Sequence, residues 1–354
     1  MNVLSRYIAL EVLKGSLVAV MVLLTLLNFF NFSDEMGDLG EGDYGMKQIF
    51  AYLLLTTPHS FYDLMPSAAL LGSLVTLGAL ANNRELVAMQ SAGASKMYIV
   101  WAVLRAGLVL SLLSAAVAEY VSPPAERTAQ LIKSSALHEQ VASRTRYGFW
   151  VRDGNVYINI RQIEQQDRLG DISIYELDQN QQLQLATHAD KAVYEGGKWR
   201  LENIRSSRFA EGQVNMDSQK SLDWSSILAP DLLNVFVLRP ENLSAYELLK
   251  YLEYLRENGQ KSLPVELAFW ERLVNPFVTV VMLLVALPFV MSLARETSVG
   301  QRIVVGVTFG LSFYLFNRMF GHFGLIYEIN PVVAAAAPLG VVFVGALVAI
   351  ARLR

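Results

Sequence analysis

Apolar residues in this chain gather into long windows separated by short polar stretches and one long polar interval. The windows run Gly15 to Phe32, Leu64 to Ala81 and Met97 to Val121. After the interval come Leu267 to Leu293, Ile303 to Phe320 and Ile326 to Ile350. Each is of about 18–25 residues, the length of helix that crosses a bilayer core. The pattern predicts six transmembrane helices, split three and three. A prelude, Ile49 to Phe61, leads into the second window. Pro58 and Pro66 are expected to break it, because proline removes a helical hydrogen bond and clashes with the preceding turn. An interfacial helix kinking into the span is the expected form. The first window reads as a retained anchor rather than a cleaved signal, since no small-x-small site precedes Asp34-Glu35.

From residue 122 to about 240 the pattern changes to short alternating stretches bounded by turns, as in strands. Phe149-Trp150-Val151 and Val156 to Ile160 flank Arg152-Asp153-Gly154-Asn155, and Asp-Gly is a strong hairpin signal. Ile172 to Leu177 alternates before Asp178-Gln179-Asn180 turns the chain. Ala192-Val193-Tyr194 and Trp199-Arg200-Leu201 flank Glu195-Gly196-Gly197-Lys198, and further strands are expected through Phe209, Val214 and Trp224. Repeated strands without intervening helices point to a β-sandwich or jelly roll. Ser244 and Glu247 then form a capping box, Tyr246, Leu249, Leu252 and Leu255 recur at helical spacing, and Gly259 stops the helix. This amphipathic helix either lies at the membrane surface or packs on the β-domain.

The expected fold is a polytopic α-helical membrane protein carrying an inserted β-jelly roll. Its segments are 1–121 with three spans, 122–240 with the jelly roll, 241–262 with the connecting helix, and 263–354 with three more spans.

Composition sharpens this picture. Of 354 residues, 53% are apolar and only 17% charged, against about 25% charged in an ordinary soluble domain. The mean hydropathy is +0.33. A net charge of −3 gives no basic excess for nucleic acid. The absence of cysteine excludes disulfides, thiolate catalysis and Cys-ligated metal. Basic residues set the orientation: Arg6, Lys14, Arg84, Lys96, Arg295, Arg302, Arg352 and Arg354 all fall on one side of six spans. The loop after span one is acidic, with Asp34, Glu35, Asp38, Glu41 and Asp43 against Lys47. Both termini are expected in the cytoplasm and the β-domain outside.

Motifs for chemistry are scarce. The chain has no P-loop, the single Gly197-Lys198 being followed by Trp199, and no nucleophile elbow or H-E-x-x-H. His59, His138, His188 and His322 fall on different predicted elements, so no metal or other cofactor is expected. His59 and Asp63, four apart, suit either a proton-handling pair or a plain interfacial hydrogen bond. Arg105 can snorkel, Glu119, Glu271, Arg272 and Arg318 lie towards span ends, and the midplane holds almost no charge. That argues against ion-driven secondary transport.

The loop between spans two and three is the most informative segment. Over residues 83–93, Asn83 can cap a short helix, Glu85 suits its first turn, Leu86, Met89 and Gln90 share a face, and Gly93 ends it. Such a helix either docks in a partner's groove or is a plain interfacial turn.

Glu85-Leu86-Val87-Ala88-Met89-Gln90-Ser91-Ala92-Gly93 resembles the corresponding loop of the LptF/LptG permeases of lipopolysaccharide export. Arg6-Tyr7-Ile8, Met65 to Gly72, Gly148 to Gly154 and Gly170 to Tyr175 extend the resemblance over the chain. It is closer to the LptG branch than to LptF. The resemblance implies a non-catalytic permease subunit of an ABC-type exporter in the Gram-negative inner membrane. Its implied partners are LptF, an LptB ATPase dimer and LptC, with lipopolysaccharide as substrate. It also implies that the loop with Glu85, Leu86, Met89 and Gly93 couples to the ATPase. Spans one and five would line the lipid cavity, through Leu26, Leu27 and Phe30 and through Phe316 and Phe320. Arg127, Lys133 and Arg318 are the candidate phosphate-binding cations: Lys133 matches a basic position in relatives, and Arg318 rests on position alone. Relatives carry lysines just after span one, where this chain has Asn31, Gly37 and Asp38 among acids. Divalent cations or basic residues of LptF can substitute there. The rival readings are a membrane-anchored scaffold and a lipid-modifying enzyme using His59 and Asp63.

Overall fold

The computed structural model describes residues 3–137, 149–165, 167–195, 197–210, 213–224, 238–293 and 298–352. His138, Gly148, Gly196, Arg295 and Arg354, named above, lie outside the described residues. Six helices are long and apolar enough to cross a membrane, and a β-sheet is inserted between the third and fourth of them. Two compact units result. One comprises Met1–Asp34, Leu53–Ala125 and Leu263–Arg354, the other Glu35–Tyr52 and Glu126–Ser262.

In the first unit, α1 (Val3–Glu35) is followed by α2 (Met46–Asn82), the short α3 (Glu85–Ser91) and α4 (Lys96–Ala116). A π-helical turn, Val117–Val121, runs on into α5 (Ser122–Ala136), which belongs to the second unit from Glu126 onward. The carboxyl half contributes α7 (Leu263–Leu293), α8 (Val299–Ile326) and α9 (Pro331–Arg352), and α6 is described with the sheet below. Contrary to expectation, α2 is one continuous helix through Pro58 and Pro66. The hydroxyls of Thr56 and Thr57 donate to the Leu53 carbonyl (3.2 and 2.7 Å) and that of Ser60 to Thr56 (3.4 Å). The polar hydroxyls around Pro58 are thus satisfied within α2 itself, as an apolar surrounding requires. Residues 122–136, expected with the strands, are helical instead.

Packing in this unit turns on glycines where helices meet backbone to backbone. A Cβ on Gly72 of α2 would lie 2.4 Å from the Ser16 nitrogen and 2.5 Å from the Gly15 carbonyl carbon of α1. One on Gly306 of α8 would strike Leu71 and Leu74 of α2, and one on Gly107 of α4 would meet Leu283 of α7. Both halves of the chain therefore build one apolar core, with Met65, Leu70, Leu74 and Leu77 of α2, Val103 and Leu110 of α4, and Met282, Leu283 and Leu287 of α7.

The second unit holds the antiparallel sheet: β1 (Phe149–Asp153), β2 (Val156–Gln165), β3 (Arg168–Leu177), β4 (Leu183–Glu195), β5 (Lys198–Ala210) and β6 (Gln213–Trp224). Each described strand pairs with the next in sequence, so an all-β insert stands where the jelly roll was expected, with the strand order of a meander. Asp153 pairs with Val156 around Gly154 (φ +59°), the turn that Asp-Gly signalled. Alternate residues, Ile158, Ile160, Ile172, Ile174, Ala189 and Ile204 among them, fill one face. Helix α6 (Ala245–Glu257) has the expected capping box, with Ser244 and Glu247 bonded both ways. It packs on the sheet: the Tyr254 hydroxyl donates to the Arg152 carbonyl (2.9 Å) and accepts from the Arg152 N–H (3.0 Å). Burial pushes the Tyr254 pKa above its ordinary value, so the hydroxyl keeps the proton that this contact needs.

Gly72→Leu is expected to lower stability by about 1–3 kcal/mol or more, because overpacking at a backbone crossing has no room to relax. Gly340→Ala, where nothing lies within 4 Å, should leave the Tm in detergent unchanged or raise it. Equal Tm shifts in the two variants would remove the crossing from its assigned role.

Candidate functional site

Helix α3 sits on a sharp reversal. Arg84, not Asn83, precedes it, in left-handed backbone (φ 61°) and without a side-chain cap. Asn82 is engaged elsewhere, its Oδ1 accepting from Arg302 Nη2 at 2.7 Å. The helix ends as expected at Gly93 (φ +97°): the Gly93 N–H bonds the Gln90 carbonyl and the Ala94 N–H that of Met89, a Schellman pair. The Glu85 carboxylate accepts from the Tyr7 hydroxyl of α1 at 2.9 Å. Leu86 and Met89 do not form an outward docking face. They are 6% and 9% exposed and belong to the bundle core beside Ile8, Val12 and Ile99. Val87, 59% exposed, and Ala88 and Gln90 face outward instead. A helical wheel pairs 86 with 89, but sequence alone does not say which side of the wheel meets the bundle.

Of the lipid-cavity candidates, Leu26 and Phe30 are exposed on α1 with Leu27 half-buried. On α8, Phe316 is exposed, Phe320 is half-buried, and their rings stand 5.6 Å apart. Both helices pack on α2, α1 through Gly15 and α8 through Gly306 and Gly310. Exposed apolar side chains run along both, from Val18 to Phe30 and from Val304 to Phe323, surfaces that water would not tolerate at this extent. The amino-terminal turn of α8 is anchored by buried Arg302, which lies against Gly78 of α2, where a Cβ would come within 2.2 Å of its Nη1.

The three candidate cations have different surroundings. On α5, Arg127 pairs with Glu247, the same residue that closes the α6 capping box, so this guanidinium braces α5 to α6. Six residues on, Lys133 Nζ donates to both oxygens of Glu35 (2.8 and 2.7 Å) and pairs with Asp38 (2.9 Å). Arg318, in α8, lies over the Tyr314 ring at 5.6 Å, within electrostatic reach of Asp63 and Glu271.

His59 and Asp63 do meet, at 3.5 Å, and Ser122 Oγ stands 3.5 Å from the other ring nitrogen of His59. Near them, buried Arg272 of α7 donates to the Ala118 carbonyl of the π turn and stacks 5.0 Å from the Tyr62 ring. Tyr62 returns a hydrogen bond to the Arg272 carbonyl at 3.3 Å. Arg272 was placed at the opening of span four by its sequence position. In the structure α7 begins nine residues earlier, at Leu263, so the guanidinium lies well inside the helix.

The chain matches the family model described as lipopolysaccharide export system permease LptF/LptG over residues 6–352. It is 33% identical over 340 residues to the lipopolysaccharide export system permease protein LptG of Escherichia coli (strain K12), covering 95% of this chain and 94% of that protein. It is equally similar, 33% over 339 residues and 95% of each chain, to LptG of Haemophilus influenzae. Similarity to the LptF protein of Escherichia coli (strain K12) is 28% over 116 residues, 33% of this chain and 31% of that one.

Truncating the inward residues should differ from altering the outward ones. Leu86→Ala is expected to destabilise by about 2–5 kcal/mol, read as a lower Tm in detergent. Val87→Ser should change stability by no more than about 0.5 kcal/mol, leaving the Tm close to that of the parent. A Leu86→Ala variant as stable as the parent would mean that α3 does not rest on this core.

Proposed function

The chain belongs to the LptF/LptG family of lipopolysaccharide export permeases, and on that premise we propose how its parts divide the work. It is a multi-pass inner-membrane protein and the permease subunit of the lipopolysaccharide export system. An LptF-like chain completes the permease, and a dimer of the ATPase LptB hydrolyses ATP beneath it. LptC receives the lipid from the β-domain. Both termini and α3 face the cytoplasm, and the sheet stands in the periplasm. The observation that carries this reading is the family match through both membrane halves and the insert between them. A motor in another chain also agrees with a sequence that has no P-loop. Transport, rather than scaffolding or lipid modification through His59 and Asp63, is what that membership supports.

Glu85 marks the contact with the motor: its carboxylate is held by Tyr7, and Val87 and Gln90 flank it on the outward side. Leu86 and Met89 act as anchors that transmit motion of α3 into the core, and Gly93 supplies the reversal that leads into α4. Acyl chains lie against Leu26, Leu27 and Phe30 of α1 and Phe316 and Phe320 of α8. The lipid's phosphates are met by Arg127, Lys133 and Arg318, of which the first two carry carboxylate partners that must be shared or exchanged.

Glu85→Lys should cut nucleotide-driven release of lipopolysaccharide from vesicles at least about tenfold, as expected for losing a charge-assisted contact worth about 1.5–3 kcal/mol. Unchanged release, with the ATPase still co-purifying, would remove the coupling role. Orientation is testable because the chain has no cysteine. A membrane-impermeant maleimide added to spheroplasts should label Asn180→Cys and spare Ser91→Cys; the reverse pattern would invert the topology.

A further inference from the structure

Lys133 is enclosed by carboxylates and aromatic rings. An ammonium has three N–H donors, and three carboxylate oxygens stand around this one: Glu35 Oε1 at 2.8 Å, Glu35 Oε2 at 2.7 Å and Asp38 Oδ2 at 2.9 Å. The rings of Tyr44 and Tyr52 flank it at 5.7 and 5.2 Å, within cation–π range. The cage is therefore filled from within, by two negative charges against one positive.

Its two acids are not equivalent. Glu35 is fixed: its side chain is 11% exposed, it grips Lys133 with both oxygens, and the buried Tyr44 hydroxyl donates to it at 2.6 Å. Asp38 offers one oxygen, its side chain is 40% exposed, and it ends a short 3-10 turn, Met36–Asp38. Backbone hydrogen bonds hold the loop after it, among them Glu41 N–H to the Asp38 carbonyl at 3.1 Å, so the freedom available to Asp38 is rotation of its half-exposed side chain. Asp38 is the member that an incoming anion can replace.

We propose that Asp38 is an internal competitor for the third donor of Lys133, and that it makes this subsite selective for lipids bearing a phosphate monoester. The inference rests on the export reading above. A phosphodiester brings one negative charge, the same as the carboxylate it must displace. A phosphomonoester brings about 1.5–2 charges and three acceptor oxygens at neutral pH. Exchange of Asp38 for a diester gains nothing electrostatically, whereas exchange for a monoester does. The acid excludes the bulk membrane phospholipids from the cation and leaves it open to the phosphorylated sugar headgroup of lipopolysaccharide. Substituting asparagine keeps the shape, removes the competing charge and relaxes the filter.

The test uses the whole permease with its partner chains, purified and exchanged into vesicles containing phosphatidylglycerol and lipopolysaccharide. Bound lipids are quantified by mass spectrometry. In Asp38→Asn the ratio of retained phosphatidylglycerol to lipopolysaccharide should rise about threefold or more. Lys133→Gln should lower lipopolysaccharide retention, and Asp38→Asn added to it should no longer change the ratio. Enzymatic removal of the lipid's phosphates should reduce its advantage over phosphatidylglycerol in the parent and less so in Asp38→Asn. An unchanged ratio in Asp38→Asn, or an equal rise in the Lys133→Gln background, overturns the proposal. Displacement of the lipid by millimolar inorganic phosphate would also overturn it, by making free phosphate the ligand. If the parent complex retains no lipopolysaccharide at all, the export reading itself fails, a result distinct from loss of discrimination alone.

Discussion

Hydrocarbon offers no hydrogen bonds, so every backbone N–H and C=O in a membrane span must find its partner inside the protein. Much of the first unit follows from this constraint. Pro58 has no N–H to give the Leu54 carbonyl, yet α2 runs on through it, and the hydroxyls of Thr56, Thr57 and Ser60 beside it are themselves satisfied by carbonyls of the same helix. At the end of α4 the π turn shifts the hydrogen-bond register just before Pro123 and Pro124. There the Arg272 guanidinium reaches from α7 to the Ala118 carbonyl. A buried cation in a span is costly unless its hydrogens are used and its charge is faced by something polarisable. The Tyr62 ring faces the charge and the Ala118 carbonyl takes Nη2, while Nε and Nη1 find no partner among the described residues; the contacts tie α2, α7 and the π turn after α4 together at one point.

Glycine governs how the spans approach. With no water-driven attraction between helices inside a membrane, close packing holds them, and small residues permit it. Gly15 against Gly72, Gly306 against Leu71 and Gly107 against Leu283 set three of these approaches. The apolar residues left outside, concentrated on α1 and α8, form the surface that hydrocarbon rather than water can cover.

The sequence carried this fold unevenly. Six windows became six helices because span length is a property of the chain alone. Hairpin turns at Asp153-Gly154 and the capping box at Ser244 were legible for the same reason: their partners lie within a few residues. Faces were harder. Tyr246 and Leu249 of α6 are exposed while Leu248, Leu252 and Leu255 are buried, since a strict three-residue spacing drifts round the helix and the buried stripe mixes steps of four and three. Leu86 and Met89 were rightly paired but face inward. The cations were least legible. Charge and position nominated Arg127 and Lys133, but the acids that hold them, Glu247 and Glu35, lie 120 and 98 residues away in sequence, and no local pattern announces such pairs.

The order of strands in the sheet bears on how the protein is made. Each described strand pairs only with its sequence neighbour, so these contacts span few residues and close quickly, as low contact order allows. The bundle core is different, because Gly107 and Val103 of α4 await Leu283 of α7, whose codons come well over a hundred positions later. The insert can be complete while the ribosome is still synthesising the last three spans. During that interval the amino-terminal helices hold an unfinished interface within the bilayer, where a membrane insertase or chaperone has its opportunity to act.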